Sequence, residues 1–289
     1  MSELPRDLDP PITAVREAVA RALAEDLTPL GDLTASLLDP DTTTVARFVA
    51  RAPGRLAGTL CASESFAQVD PSLVVEWSCR DGAELAPGTV IGEVRGRLAP
   101  VLTAERTALN FMGHLSGIAT ETARYVDAAA AAGGARVWDT RKTTPGLRAL
   151  EKAAVRAGGG RNHRGNLSDW LLIKDNHLTG LGITEAVRRA ADRWPGRTIH
   201  VECDRGEQMV EAIEAGAGAV LLDNMDPATV AACVATATRI DPARRCLLEV
   251  SGGVTLETIG DYSATGVDLI SIGRITNSAP VLDIGLDIG

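Results

Sequence analysis

The chain has 289 residues, 45% of them hydrophobic and 23% charged, enough for one large globular domain or two unequal ones. A formal net charge of −9 argues against general nucleic-acid binding, nothing approaches a membrane-spanning run, and MSELPRDLDPP at the start has no apolar signal core. Five scattered cysteines without a CxxC pair fit reduced, mostly buried thiols, so a soluble cytoplasmic protein is expected.

The first predicted element is a helix capped by Thr13 and running through Asp26, with Val15, Ala18, Val19, Ala22 and Leu23 on one face. Short β-type runs follow at Val45–Ala50, Arg55–Leu60, Leu73–Ser78 and Val90–Val94, punctuated by Pro53-Gly54, Asp81-Gly82 and Pro87-Gly88. They predict a small α+β region of mainly antiparallel character. A long helix is then expected from Thr103 to about Ala132, burying Leu109, Met112, Leu115, Ile118 and Thr122 and ended by Gly133-Gly134.

Beyond that point apolar runs alternate with helical segments: Arg136–Trp138, Leu171–Ile173, Ile199–Val201, Ala219–Leu222, Cys246–Val250 and Leu269–Ile272. Their spacing is roughly that of βα units, which leaves a barrel or an open doubly wound sheet. Ligands bind outside the carboxyl ends of the strands in both.

Charged and phosphate-compatible residues gather at those ends: Arg141 and Lys142, Lys174, Glu202, Asp223, and Ser251-Gly252-Gly253. Any one of them is more often a capping or solvated residue, but successive strand ends supplying one compatible set favour a shared cavity, and hence a barrel. From Arg136 to Lys174 nine Lys/Arg face three acids, a local +6 against −15 elsewhere, which suits a polyanionic small molecule. Arg148, Lys152 and Arg156 recur at helical spacing and are read as a solvated helix face. Arg141, Arg164, Lys142, Lys174 and Arg106 can bind carboxylates and phosphates. Glu202 and Asp223 can hold Mg²⁺ or steady a developing cation. The Ser-Gly-Gly run before an expected helix at Thr255–Tyr262 is a moderate phosphate signal. No zinc spacing, nucleophile elbow, Walker loop or dinucleotide fingerprint accompanies these residues.

Several stretches carry a specific likeness: Glu25-Asp26-Leu27 with Gly31-Asp32-Leu33-Thr34, Thr103-Ala-Glu-Arg106-Thr-Ala-Leu-Asn110, and His114-Leu-Ser-Gly-Ile-Ala119. Asp139-Thr-Arg-Lys-Thr143 with Pro145-Gly-Leu-Arg148, Gly158-Gly-Gly160 with Asn162-His-Arg164, and Leu172-Ile-Lys-Asp-Asn-His177 follow. Leu221-Leu-Asp-Asn224, Ser251-Gly-Gly253 and Leu282-Asp-Ile-Gly-Leu-Asp287 complete the series. In order and over nearly the whole length, the chain resembles the quinolinate phosphoribosyltransferase family.

That resemblance implies an α+β sandwich domain over residues 1–115, with the tail 275–289 packed on it, and an incomplete seven-stranded α/β barrel over 116–274. It implies transfer of phosphoribosyl from phosphoribosyl diphosphate to quinolinate with decarboxylation, Mg²⁺ as cofactor, and a homodimer or higher oligomer with shared active sites. Carried over by position, Arg106 enters the partner's site, while Thr140, Arg141, His163, Arg164 and Lys174 receive the quinolinate carboxylates. Lys142 faces phosphoribosyl diphosphate, Glu202 and Asp223 bind ribose and Mg²⁺ directly or through water, and Ser251, Gly252, Gly253 and Gly273 hold the 5′-phosphate. Lys142, Lys174, Glu202 and Asp223 are the expected catalytic set.

The chain departs from the family's usual pattern at Trp138, Asn166, Trp170, His200 and Asn277. Rival readings are a homologue acting on another pyridine carboxylate, a nicotinate-type enzyme without decarboxylation, and a molybdenum-transport-associated homologue. A carrier hairpin at Asp81–Gly96 is excluded, because no lysine lies between Met1 and Arg141 to be modified.

Overall fold

The computed structural model describes residues 8–243 and 245–289. The chain divides into two compact units, one made of residues up to Ala123 with Lys142–Gly159 and Arg274–Gly289, the other of Arg124–Arg141 and Gly160–Gly273.

In the first unit, helix α1 (Ile12–Leu27) buries Val15, Ala18, Val19 and Leu23. Thr13 does not cap it. Pro11 stands at the cap instead and offers its carbonyl to the Ala14 and Val15 amides at 2.9 and 3.2 Å. Strand β1 (Thr43–Ala50) and the short β2 (Gly54–Arg55) follow. The expected strand Arg55–Leu60 ends there, because Gly58 at φ 96° turns the chain into helix α2 (Thr59–Val69). Asp81 accepts the Gly58 and Thr59 amides at 2.8 and 3.2 Å and so caps a helix that the apolar pattern did not announce. Then come β3 (Val74–Trp77), β4 (Glu84–Leu85) and β5 (Val90–Arg97).

The main sheet of this unit is antiparallel, with the C-terminal strand Ile284–Ile288 at one edge followed by β1, β5 and β3. Phe48 packs edge-on against Phe66 at 5.9 Å and tilted against Trp77 at 4.9 Å, within a core that includes Leu56, Ile91, Val94 and Met112. Each fully buried side chain of that size stabilises the unit by about 1.5–3 kcal/mol.

Helix α3 (Leu98–Ala132) begins five residues before the expected Thr103, since Pro100 is tolerated in a first turn. It buries Leu109, Met112, Leu115, Ile118 and Thr122 as its spacing predicts, and the Ala129 carbonyl accepts the Gly133 and Gly134 amides at its end. Helix α4 (Arg148–Ala157) overturns the solvated-face reading. Lys152 and Glu151 are buried, and Arg148 and Arg156 are partly so. Glu151 meets His114 Nε2 at 2.9 Å and accepts the Thr144 amide, while Arg156 donates to the carbonyls of Leu8 and Asp9.

The second unit is a six-stranded parallel sheet: β6 (Arg136–Trp138), β7 (Leu171–Ile173), β8 (Ile199–Cys203), β9 (Ala219–Asp223), β10 (Leu247–Ser251) and β11 (Leu269–Ser271). Helices α5 (Ile183–Arg193), α6 (Gly206–Glu214), α7 (Pro227–Ile240) and α8 (Ile259–Ala264) join the last five strands in turn. The spatial order is β6, β11, β10, β9, β8, β7, so the first strand lies beside the last. A doubly wound sheet would place it inside; this cyclic order is that of an α/β barrel. In place of a seventh full strand, Arg161 makes a single parallel bridge to Trp138.

The register separates two faces. Val201, Val220, Leu222, Leu248, Val250 and Ile270 lie on one and are at most 2% exposed. The opposite face carries His200, Glu202, Asp223, Glu249, Ser251, Ser271 and Trp138: Glu202 and Glu249 both oppose Leu221, and Asp223, Ser251, Ser271 and Trp138 align across four strands.

Candidate active site

At the carboxyl ends of the strands, this polar face supplies a site within the parallel unit. Lys174, just past β7, reaches across to Glu202 on β8, with Nζ 2.5 Å from Oε2. The loop behind Lys174 is tied back by its own amide, which donates to His177 Nδ1 at 3.0 Å. His177 is therefore a turn-former here. Two residues beyond the rung opposite Glu202, Asp223 accepts a hydrogen bond from the Asn224 amide group at 2.7 Å.

Asp139 follows β6 and is completely buried. Its two oxygens accept the His163 backbone amide at 2.8 Å and Asn162 Nδ2 at 2.7 Å, which fixes the segment bearing His163 and Arg164 beside β6. Arg164 is buried, and burial together with the nearby charge of Arg141 holds its guanidinium below the usual value, with Asp169 and Glu202 opposing. Arg141 is partly buried, and two neighbouring guanidiniums make a favourable place for an anion. Thr140 is partly buried one residue before Arg141.

The glycine loop is shaped by close approach. Gly252 has φ 94°, and a Cβ there would stand 2.2 Å from Asn224 Oδ1; Gly253 has φ 63° and open space around it. Asn224 itself has φ 54°, a conformation Asn tolerates better than most residues. The expected helix at Thr255–Tyr262 starts only at Ile259, so a phosphate here would meet loop amides and not a helix terminus. Gly273 follows β11, where the Ile272 amide donates to the Trp138 carbonyl at 2.9 Å.

Arg106 and Lys142 belong to the antiparallel unit, and both are exposed. Thr276 Oγ1 donates to the Lys142 carbonyl at 2.8 Å and steadies the backbone that follows Arg141. Asn277, in the same unit, is exposed and accepts a hydrogen bond from Ser278. Asn166 accepts the Ser168 amide in a local turn.

Both halves of the chain match models of one family: residues 32–116 the "Quinolinate phosphoribosyl transferase, N-terminal domain" and residues 118–287 the corresponding "C-terminal domain". The chain belongs to the quinolinate phosphoribosyltransferase family. It is 42% identical to the carboxylating nicotinate-nucleotide pyrophosphorylase of Mycobacterium leprae, over 95% of this chain and 97% of that protein. It is 37% identical to a mitochondrial decarboxylating quinolinate phosphoribosyltransferase of Nicotiana glauca, over 96% and 83%. The solved nicotinate-nucleotide pyrophosphorylase of Francisella tularensis superposes with a TM-score of 0.91 at 36% identity, covering 97% of this chain and 98% of that one.

Among the residues that build this candidate site, pattern reading missed Glu249, Asn224 and the anchoring role of Asp139. Glu249 had a signal: it is a lone charge inside the apolar run Cys246–Val250. A second signal lies in the cations. Only Lys142, Lys152 and Lys174 are lysines among 29 Lys and Arg, and all three fall within the cationic window.

Proposed function

We infer that the protein transfers the phosphoribosyl group of phosphoribosyl diphosphate to quinolinate and releases diphosphate and carbon dioxide, giving nicotinate mononucleotide. The observation that carries this reading is the Arg141–Arg164 pair: a buried and a partly buried guanidinium close enough for one to depress the other, with Arg164 also feeling the charge of Glu202, which is itself in contact with Lys174. Quinolinate brings two carboxylates, and an Arg fork binds each of them in two-point fashion. Thr140, His163 and Lys174 complete the acceptor wall in this reading, and Arg106 is supplied by the second subunit of a homodimer.

The pyridine nitrogen attacks the anomeric carbon as the bond to diphosphate breaks, and positive charge grows on the ribose. Glu202 and Asp223 lie on the face where that charge develops and stabilise it. Lys142 balances the departing diphosphate, while Ser251, Gly252, Gly253 and Gly273 hold the 5′-phosphate through loop amides. Once the nitrogen is quaternary, the adjacent carboxylate leaves as carbon dioxide. The electron pair left on the ring carbon is stabilised by the neighbouring cation until a proton adds. The protein's chief task is to hold two mutually repelling anions in line.

The carboxylates fit Mg²⁺. Glu202 and Asp223 are hard oxygen donors on one face, each with one oxygen engaged by a neighbour, which suits an ion that keeps several waters. Mg²⁺ would neutralise diphosphate charge and improve the leaving group. We place the enzyme in the cytoplasm, in keeping with its free, mostly buried thiols; among the described residues no helix is long and apolar enough to cross a membrane. Purified protein given quinolinate, phosphoribosyl diphosphate and Mg²⁺ should form nicotinate mononucleotide and carbon dioxide in equal amounts. Turnover of a different pyridine acid without turnover of quinolinate overturns the acceptor assignment.

A further inference from the structure

Beneath the mouth of the parallel unit, β10 carries a carboxylate where its neighbours are apolar. Glu249 is completely buried, flanked in register by Leu221 and Leu269. His163 Nε2 lies 3.4 Å and His200 Nδ1 3.7 Å from its Oε2, close enough to stabilise a negative charge though neither is aligned as a formed hydrogen bond. Burial alone would raise the Glu249 carboxyl, but His163, Ser271 and His200 outweigh it and hold it below the usual range. An anion kept in so dry a place costs several kcal/mol unless it is paired, by about the amounts known for buried ions.

The surroundings fix its partner. The His163 backbone is pinned to Asp139, and its ring is bounded on three sides: Trp138 edge-on at 6.0 Å, Trp170 tilted at 5.1 Å and His200 edge-on at 5.7 Å. Trp170 in turn stacks on His200 at 5.4 Å. Three of the positions where this chain departs from the family's usual pattern thus form one aromatic wall around a single imidazole and its carboxylate.

We propose that Glu249 is a positioning residue for acceptor binding: it accepts a hydrogen bond from Nε2–H of a doubly protonated His163 ring, whose Nδ1–H then donates to a carboxylate of quinolinate. His200 and the stacked Trp170 keep the carboxylate–imidazole pair dry, where an electrostatic contact is strongest. Glu249 itself touches no substrate. The proposal rests on the assignment of His163 to the acceptor.

The test separates the two. Glu249→Leu removes the acceptor oxygen while filling the space, and should raise the quinolinate KM about tenfold, the effect of losing a charge-assisted hydrogen bond. The kcat and the phosphoribosyl diphosphate KM should stay within about threefold, a split that general loosening of the core would not produce. Glu249→Gln, which keeps an oxygen facing the ring, should recover most of the loss. In a His163→Ala background Glu249→Leu should add nothing. If His163→Ala leaves the quinolinate KM at its wild-type value, the underlying assignment fails. If His163→Ala raises that KM but Glu249→Leu does not, the positioning role alone fails. Should Glu249→Leu not fold, ¹⁵N spectra of the wild-type histidines decide the matter. Nε2 of His163 should carry a proton; a bare Nε2, or one bound to a metal ion held jointly with His200 and Glu249, overturns the proposal.

Discussion

Lys174 Nζ lies 2.5 Å from Glu202 Oε2, so in the free protein a cation expected to meet substrate and a carboxylate expected to meet ribose neutralise each other across β7 and β8. Substrate binding must share or exchange that contact, which couples the two residues. Lys174→Ala is expected to lower kcat/KM by about 10²-fold, as loss of a group stabilising developing charge does. Glu202→Gln should cost a similar factor, and the double variant clearly less than the product of the two. Steady-state kinetics on the four proteins measure the coupling; strictly multiplicative losses would mean the contact has no part in the reaction.

Three lysines serve a chain with 29 Lys and Arg, and their exposure differs. Lys142 is exposed and Lys174 partly so, whereas Lys152 is buried in α4. An amine-selective reagent should therefore modify Lys142 and Lys174 before Lys152, with activity falling in step. Phosphoribosyl diphosphate should protect Lys142. Peptide mapping at partial inactivation checks this, and early labelling of Lys152 would show that α4 opens more readily than its packing indicates.

The parts of the fold that could be read in advance are those where one face of an element meets one environment. The buried stripe of α3 and the six parallel strands follow from spacing alone, and the polar residues at the strand ends, Glu202, Asp223 and Ser251, mark the candidate site. Helix α2 was hidden because its start depends on Asp81, 22 residues further on, and on the left-handed turn at Gly58. The solvated-face reading of Arg148, Lys152 and Arg156 failed for a related reason: their partners, Thr143 and the Leu8–Asp9 carbonyls among them, come from other segments. Trp138, Trp170 and His200 stood out singly in the sequence, but nothing in their spacing shows that they enclose the same imidazole. Pairings of this kind are set by sheet register, which period-two patterns leave open.

Gly252 and Gly253 both have left-handed backbones, but only Gly252 faces a neighbour. Gly253→Ala is expected to cost about 1–2 kcal/mol from conformation alone. Gly252→Ala adds a Cβ 2.2 Å from Asn224 Oδ1 and must displace Asn224, and with it the hydrogen bond to Asp223. It should lower the thermal midpoint more than Gly253→Ala and raise the KM for phosphoribosyl diphosphate by a larger factor. Equal effects of the two variants on both quantities would argue that Asn224 moves freely.

Asp70 closes α2, and its carboxyl is held down to about 2 by the Ser72 hydroxyl and amide and then by Arg97. An unfolded-state aspartate titrates near 3.9, by about the model-peptide value. Because the folded value is the lower one, the stabilisation is fully present above about pH 4 and is lost as pH falls toward 2. Asp70→Asn should therefore unfold at lower urea than the wild type at pH 7, and the gap between the two midpoints should narrow steadily between pH 4 and pH 2.5. A gap that stays constant over that range would mean that the Asp70 charge contributes nothing and that the loss at pH 7 comes from changed hydrogen-bond geometry at Ser72.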